Sequence, residues 1–306
     1  MTDLLASLNA DFGLEGHVHF QAGENGLHMA RIDNDLATAE VYLHGGNITA
    51  FQPHGSDPLL WLSPLAQFQT DKAIRGGVPV IWPWFGPHSV DSHKPQHGFA
   101  RTASWQVSHA GALADGSTQL QLDLRDTSAT RTLWPHAFAL ELVFTVGTEL
   151  RIELTSRNTG DQPFTAGAAL HSYFAVGDVE QVVVEGLADC EYIDKLDADR
   201  RKRQEGLVRI HAEVDRIYLK TENSCVIHDP LMARQIHIEK GGSRSTVVWN
   251  PWADKAEAMA DFPDQGFRQM LCIETANAAD DVRILAPGDA HTLSQRISLH
   301  REVPRQ

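Results

Sequence analysis

Apolar residues recur at every second position along much of the chain. Leu120, Leu122 and Leu124 alternate with polar neighbours, and the same period continues across residues 138–146 and 150–154. Such alternation puts apolar side chains on one face of a β-sheet and polar side chains on the other, as in an antiparallel sheet with one buried face. Further strands are predicted at residues 39–43, 181–184, 208–210, 246–249, 282–285 and 292–299.

Turn-forming dipeptides separate these runs, whereas helical periodicity is weak. Gly45-Gly46, Asp115-Gly116 and Gly241-Gly242 are typical turn signals. Only two short helices are predicted, at residues 1–9 and 257–260. Many short strands with few helices indicate an all-β fold, a large antiparallel β-sandwich or a barrel. Because no linker, charge block or repeat divides the sequence, we expect a single domain over residues 1–306.

Composition and charge narrow the possible partners. The 306 residues carry a formal net charge of −14, which argues against binding to nucleic acid or to an anionic membrane. An anionic ligand would therefore need a local cluster of arginine or lysine. Cys190, Cys225 and Cys272 are too far apart for a disulfide framework or a metal motif. With no apolar run of about 18 residues and an acidic N-terminus unlike a secretory signal, we expect a cytoplasmic protein.

One long segment, residues 67–101, lacks a clean period and is rich in glycine, proline, tryptophan and histidine. A stretch of that length inside a compact domain is either functional or disordered, and its aromatic content argues against disorder. It contains Arg75 followed by two glycines, and then Gln96, His97 and Arg101 within six residues. A third candidate, His171, follows a run of small residues further along the chain.

Each of these motifs also has an ordinary structural interpretation. A tryptophan cluster is more often core than ligand platform, and a lone histidine in a strand is more often hydrogen-bonded than catalytic. His88, His93 and His97 could bind a metal, but no carboxylate other than Asp91 stands at a helpful spacing, so no metal site is predicted. The motifs of phosphate loops, dinucleotide folds, serine hydrolases and zinc proteases do not occur in the sequence.

Taken together and in order, the motifs resemble the aldose 1-epimerase superfamily, specifically its hexose-6-phosphate mutarotase (glucose-6-phosphate 1-epimerase) branch. The resemblance implies a galactose mutarotase-like β-sandwich, in agreement with the period of two. The matching motifs beyond the Arg75 segment are Tyr42-Leu43-His44-Gly45-Gly46-Asn47, His97-Gly98-Phe99-Ala100-Arg101, His171-Ser172-Tyr173-Phe174, Asp215-Arg216-Ile217-Tyr218, Trp249-Asn250-Pro251-Trp252 and Cys272-Ile273-Glu274-Thr275-Ala276-Asn277.

The resemblance also implies roles for individual residues. His171 would be the general acid and Glu274 the general base of sugar-ring opening, which is a reaction that needs no redox cofactor and no metal. His97 would be a second contact near the ring oxygen. The remaining residues implied to contact a sugar phosphate are Arg75, Gln96, Arg101 and Asp215.

The substrate class stays open between related possibilities. Arg75 and Arg101 can offer forked donors to a phosphate, and Arg244, in a glycine-containing turn, is a candidate third cation. A hexose 6-phosphate, with glucose 6-phosphate first, is the predicted small-molecule partner of a monomeric enzyme. The alternatives are a mutarotase of free aldohexoses and a non-catalytic carbohydrate-binding β-sandwich, which would stack sugars on Trp82, Trp84, Trp249 and Trp252.

Overall fold

The computed structural model describes residues 4–301 of the chain. Strands dominate it, and the helices are short. The α-helices of this range are α1 Leu4–Phe12, α2 Ser128–Leu133 and α3 Trp252–Ala258, and its 3₁₀ turns are Glu24–Gly26, Ala100–Thr102, Gly266–Gln269 and Ala279–Asp281. The strands are β1 Val18–Ala22, β2 His28–Asp33, β3 Ala37–Tyr42, β4 Asn47–Pro53, β5 Val80–Ile81, β6 Gln106–Ala112, β7 Thr118–Arg125, β8 Phe138–Val146, β9 Glu149–Asn158, β10 Phe164–Ala166, β11 Ala168–Leu170, β12 Tyr173–Ala175, β13 Val183–Glu185, β14 Glu191–Asp194, β15 Arg200–Arg203, β16 Val208–Arg209, β17 Val214–Leu219, β18 Cys225–Asp229, β19 Arg234–Gly241, β20 Ser245–Asn250, β21 Met270–Asn277, β22 Arg283–Leu285 and β23 Ala290–Arg301.

Two large antiparallel sheets organise these strands. One sheet has nine strands in the order β16-β13-β18-β19-β23-β9-β8-β7-β6. The other has eight strands in the order β15-β14-β17-β20-β21-β11-β5, with β12 also paired to β21. Strands β1 to β4 form a separate four-stranded sheet, and β10 pairs with β22. This architecture confirms the predicted all-β sandwich.

The core lies between the inner faces of the two large sheets. Leu142 and Ile152 of the nine-stranded sheet share one buried cluster with Val248 and Ile273 of the eight-stranded sheet. The alternation seen in the sequence follows directly, because in β8 every second residue from Phe138 to Val146 is buried.

Strands β20 and β21 depart from this alternation, because every residue of both is buried. Their outer face, which points away from the nine-stranded sheet, is covered by α3 and by residues 67–101. A strand that is covered on both sides reads as a continuous run rather than an alternating one. Asp215 and Glu274, two of the candidate residues, belong to strands of this sheet and lie on its outer face.

The predicted strands agree with the observed bounds to within about four residues, whereas one helix prediction is wrong in position. The helix expected at residues 257–260 instead spans Trp252–Ala258. It begins directly after Pro251, where Asn250 Oδ1 accepts a hydrogen bond from the Trp252 N–H. The helix expected at residues 1–9 overlaps α1, and positions 1–3 of that prediction lie outside the described residues. Among the described helices, none has the length and apolar content to cross a membrane.

Candidate active site

His171 and Glu274 meet through the register of one strand with two others. Strand β21 pairs with β11, where Leu170 lies opposite Thr275, and with β12, where Tyr173 lies opposite Cys272. Between these pairs His171 faces Glu274, and His171 Nε2 lies 3.4 Å from Glu274 Oε1. Both side chains are buried, with 11% and 1% of their surface exposed.

A buried amide from the opposite sheet fixes the backbone next to both residues. Gln295 of β23 accepts a hydrogen bond from Ser172 Oγ at 2.5 Å and donates one to Thr275 Oγ1 at 3.1 Å. Ser172 directly follows His171, and Thr275 directly follows Glu274. This contact between the two sheets therefore supports the backbone of the acid/base pair from the core side.

Packing rather than hydrogen bonding surrounds the His171 ring. Tyr173 stacks on it with ring centroids 4.8 Å apart and 9° between the planes. His97 and Trp249 approach it edge to face, with ring centroids 6.1 Å and 6.0 Å away. His171 Nδ1 is buried and has no hydrogen-bond partner among the residues that the structure describes.

The pair opens into a cavity of about 230 Å³ on the outer face of the eight-stranded sheet. Strands β17, β20 and β21 form its floor, the segment 67–101 forms one wall, and α3 with the loop after it forms another. Its lining residues are Arg75, Phe85, Gly86, Pro87, Gln96, His97, Arg101, His171, Lys195, Asp215, Val247, Trp249, Lys255, Met259 and Glu274.

Arginines line one end of this cavity. Arg75 Nε donates to Asp261 Oδ2 and Arg75 Nη1 donates to the Tyr173 hydroxyl, both at 3.2 Å. Arg101 Nη2 donates to the backbone carbonyl of Gln96 at 2.7 Å. Within residues 4–301, Arg101 has no carboxylate partner.

A smaller cavity of about 200 Å³ adjoins the first at this end. The two share Arg75, Arg101 and His171, and the smaller one adds Lys72, Tyr173 and Asp261 to its lining. Lys72, Arg75 and Arg101 therefore border the smaller cavity, which shares lining residues with the cavity of the acid/base pair.

Glycines allow the segment 67–101 to lie this close to the sheets. A Cβ atom on Gly98 would lie 2.0 Å from the carbonyl oxygen of Trp82, and one on Gly77 would lie 2.2 Å from that of Ile48. Both residues have a positive φ, at 70° and 66°. Only glycine fits such a backbone position at so close an approach. His97, beside Gly98, also has a positive φ, and its N–H donates to the Gly86 carbonyl.

Burial changes the acid/base properties of the pair in opposite directions. It raises the pKa of Glu274 well above its usual range, and the neighbouring Asp215 charge adds to this rise while Arg101 opposes it. Burial also holds the pKa of His171 well below its usual range, with further lowering by His97, Arg101 and Arg75. Both groups therefore favour their neutral forms in the unliganded protein.

The pKa values of neighbouring ionisable groups are shifted as well. Burial, followed by the charges of Arg101 and Arg75, lowers the pKa of His97 to about 3. Burial lowers the pKa of Arg101 to about 10. Asp215 has a raised pKa, again mainly through burial, which Lys255 and Lys195 partly offset.

The structure brings all seven candidate residues to the same cavity, whereas Arg244 lies elsewhere. Arg244 lies at the surface, where its Nε is 3.0 Å from a Glu222 carboxylate oxygen, so it is wrong as a third cation. Its side chain is exposed although the preceding Ser243 is buried, and proximity to glycines in the sequence does not predict which way a side chain points. The cations that were missed instead are Lys72, Lys195 and Lys255.

Three of the four tryptophans named for the carbohydrate-binding alternative are not among the residues that line this cavity. Trp249 lines the cavity, but Trp82 is fully buried against Phe138 and Trp252 packs on Phe267. Trp84 Nε1 donates to the Pro95 carbonyl. The four rings therefore lie in different parts of the fold, and of these four Trp249 borders the cavity of the acid/base pair.

Comparison with known proteins assigns the family. Residues 28–298 match the family described as aldose 1-epimerase. A protein from Salmonella typhimurium named "Putative glucose-6-phosphate 1-epimerase" is 38% identical over 253 residues, covering 82% of this chain and 84% of that protein. A protein of the same name from Escherichia coli is 36% identical over 272 residues, covering 89% and 90%.

The fold agrees with this assignment. The crystal structure of a "putative mutarotase" from Salmonella typhimurium matches with a TM-score of 0.88 at 32% identity, covering 98% of this chain and 100% of the other. The chain therefore belongs to the aldose 1-epimerase family, and the predicted mutarotase-like β-sandwich is confirmed.

Proposed function

We propose that this member of the aldose 1-epimerase family interconverts the α and β anomers of a hexose 6-phosphate, with glucose 6-phosphate as the first candidate. The observation that carries the proposal is Arg101, a partly buried arginine that has no carboxylate partner among the described residues and lines the same cavity as the His171–Glu274 pair. A cation in a cavity without a counter-ion favours an anionic ligand.

The acid/base pair accounts for the chemistry. Glu274 takes the proton of the C1 hydroxyl while the bond between C1 and the ring oxygen breaks, and His171 gives a proton to that oxygen. The resulting aldehyde rotates about C1–C2. His171 then takes its proton back as the ring oxygen attacks the other face of C1, and Glu274 returns its proton to the C1 oxygen. Atoms and protons balance, and both residues are regenerated.

The shifts in pKa suit these roles. A carboxylate whose pKa is raised is a stronger base, and an imidazolium whose pKa is lowered gives up its proton more readily. When both groups are neutral, the proton of the pair lies on Glu274. Ring opening requires that proton on His171 instead, and the two side chains are 3.4 Å apart. A phosphate dianion beside Arg75 and Arg101 would offset two of the charges that hold the pKa of His171 down, and so would favour the protonated imidazole that ring opening requires.

The other cations at the cavity are less available to a ligand. Lys255 Nζ lies 2.8 Å from Glu213 Oε1, and Lys195 Nζ lies 2.5 Å from Asp199 Oδ1. Each is paired with a carboxylate, as Arg75 is with Asp261. Because Arg101 has no such partner among the described residues, the arginine end of the cavity is the better place for a phosphate. A mutarotase of free aldohexoses would have no use for an unpaired cation there, although it would use the same acid/base pair.

Anomer exchange measured by NMR on glucose 6-phosphate and on glucose tests the substrate. We expect faster exchange for the phosphorylated sugar, and we expect Arg101→Ala to raise KM for it by about 100-fold while leaving exchange of glucose nearly unchanged. Arg244→Ala, a surface arginine outside the cavity, is the matched control and should behave as wild type. Equal exchange of both sugars, unaffected by Arg101→Ala, would point to the free-sugar enzyme.

The same assay tests the chemistry. Glu274→Gln should slow exchange of both sugars by about 10²–10⁴-fold, since it removes the base but keeps the shape of the side chain. Full activity of Glu274→Gln on both sugars would show that the base is a different residue. A wild-type protein that binds sugar without accelerating exchange would be a carbohydrate-binding module instead.

A further inference from the structure

Tyr173 contacts both halves of the proposed site. Its ring is stacked on the His171 imidazole at 4.8 Å and nearly parallel to it, and its hydroxyl accepts a hydrogen bond from Arg75 Nη1 at 3.2 Å. Tyr173 is 1% exposed, so its surroundings hold it firmly in place. Tyr173 therefore links His171, the proposed proton donor, with Arg75, which borders the cationic end of the cavity.

Stacking by Tyr173 orients the His171 ring, a task that a hydrogen bond to the second ring nitrogen usually performs. A histidine that transfers protons is usually oriented by a carboxylate or carbonyl on its second ring nitrogen. His171 Nδ1 has no such partner within the described residues. The plane of the imidazole is then set by packing, and the closest ring is that of Tyr173, with His97 and Trp249 touching at their edges.

The hydroxyl group of Tyr173 acts on a different neighbour. Arg75 is held at two of its three nitrogens, with Nε on Asp261 and Nη1 on Tyr173. Burial raises the pKa of Tyr173, so the phenol keeps its proton and serves Arg75 as a neutral acceptor. The Tyr173 hydroxyl therefore adds no negative charge beside Arg75, whose ion pair is with Asp261.

We propose that Tyr173 is a positioning residue with two separable actions: its ring fixes the plane of His171 for both anomerisation steps, and its hydroxyl aims the Arg75 guanidinium at the phosphate of the substrate. The second action rests on the proposed function. The first depends only on the acid/base role of His171.

Tyr173→Phe separates the two actions, because it keeps the ring and removes the hydroxyl. We expect KM for glucose 6-phosphate to rise about tenfold, a clearly larger change than that in kcat for the same sugar or in the exchange rate of glucose. A fall in kcat on both sugars, or no change in KM, would overturn the proposal. Tyr218→Phe is the matched control, since Tyr218 is also fully buried and donates its hydroxyl to Gln204 away from the cavity; it should change neither parameter.

Tyr173→Leu removes both actions. We expect it to lower kcat about tenfold on glucose as well as on glucose 6-phosphate, because the imidazole plane is no longer fixed. Unchanged kcat in a folded variant, as judged by its thermal unfolding midpoint, would contradict the role of the ring. If this variant does not fold, Tyr173→Phe decides through its split between KM and kcat.

Arg75→Ala distinguishes failure of this proposal from failure of the proposed function. If Arg75→Ala raises KM for glucose 6-phosphate and Tyr173→Phe does not, the hydroxyl has no positioning role although the phosphate site stands. If neither variant changes KM for glucose 6-phosphate, Arg75 does not bind the phosphate and the role of the hydroxyl falls with it.

Discussion

Glu274 Oε1 and His171 Nε2 lie 3.4 Å apart, and the outer atom of each group, Glu274 Oε2 and His171 Nδ1, has no hydrogen-bond partner within residues 4–301. A buried polar atom without a partner costs about 1–3 kcal/mol. The protein keeps two of them in residues that line one cavity together with Arg75, Arg101 and Asp215. We expect the hydroxyl groups and ring oxygen of a sugar to provide the missing partners, so that the cost is recovered when the substrate binds.

This cost predicts that Glu274→Gln stabilises the free protein at neutral and alkaline pH. The pKa of Glu274 is raised in the folded state, so its contribution to stability is fully present below the unfolded value of about 4.5 and is lost as pH rises through the folded pKa. A glutamine carries no charge at any pH. We expect it to raise the free energy of unfolding at pH 8 by ~1–3 kcal/mol and to give a smaller difference at pH 4.

Urea unfolding at pH 8 and pH 4 measures this difference. Glu15→Gln, at an exposed glutamate outside the site, is the control and should change stability by less than about 0.5 kcal/mol at either pH. A Glu274→Gln protein that is less stable than wild type at pH 8 would mean that the carboxylate makes favourable interactions which outweigh its burial.

His97 should remain neutral throughout the working range of the enzyme. Its pKa is lowered to about 3, mainly by burial. We expect the imidazole signal of His97 in proton–carbon NMR spectra to stay constant from pH 8 to pH 5, whereas free histidine in the same buffer titrates near 6.5. His97→Gln identifies the signal. Movement of this signal above pH 5 would show that His97 takes up protons and could share the acid role with His171.

Protonation of His97 would also affect stability at low pH. Because its pKa is depressed on folding, its contribution to stability is present above about pH 6.5 and is lost progressively as pH falls toward 3. His97→Gln should therefore weaken the loss of stability between pH 6.5 and pH 4, which urea unfolding across this range can measure. An unchanged pH dependence would argue against the buried, neutral state of His97.

Gly98→Ala should disrupt the wall of the cavity. The added methyl group would lie 2.0 Å from the Trp82 carbonyl oxygen at a φ of 70°, so the backbone between His97 and Arg101 would have to move. We expect a loss of about 3 kcal/mol or more in unfolding free energy together with slower anomer exchange. Gly16→Ala has a similar φ of 69° but no atom within 4 Å of the new methyl group, so it isolates the conformational cost.

Thermal unfolding and anomer exchange on both variants give the comparison. Gly16→Ala should lose only about 1 kcal/mol and should keep full activity. If both variants behave alike, the close approach of Gly98 to Trp82 contributes nothing beyond its φ, and the segment has room to move at that point.

The sequence by itself determined the fold class and named seven residues that the structure places at one cavity. The alternation of Leu120, Leu122 and Leu124 is a local property, because neighbouring side chains of a strand always point to opposite faces. The seven site residues could be named because their motifs resemble those of a family. Strand β21, around Glu274, was not recognised from periodicity, since a strand covered on both faces does not alternate.

Only the tertiary structure decided which side chains meet. The pairing register of β21 with β11 and β12 sets His171 opposite Glu274, and no local pattern encodes that register. Whether a side chain points toward the cavity also depends on the whole fold. Arg244 points to solvent, whereas Lys195 and Lys255 line the site although no sequence motif includes them. The contacts of Tyr173 with His171 and Arg75 exist because elements far apart in sequence pack together, and packing between such elements depends on the whole fold.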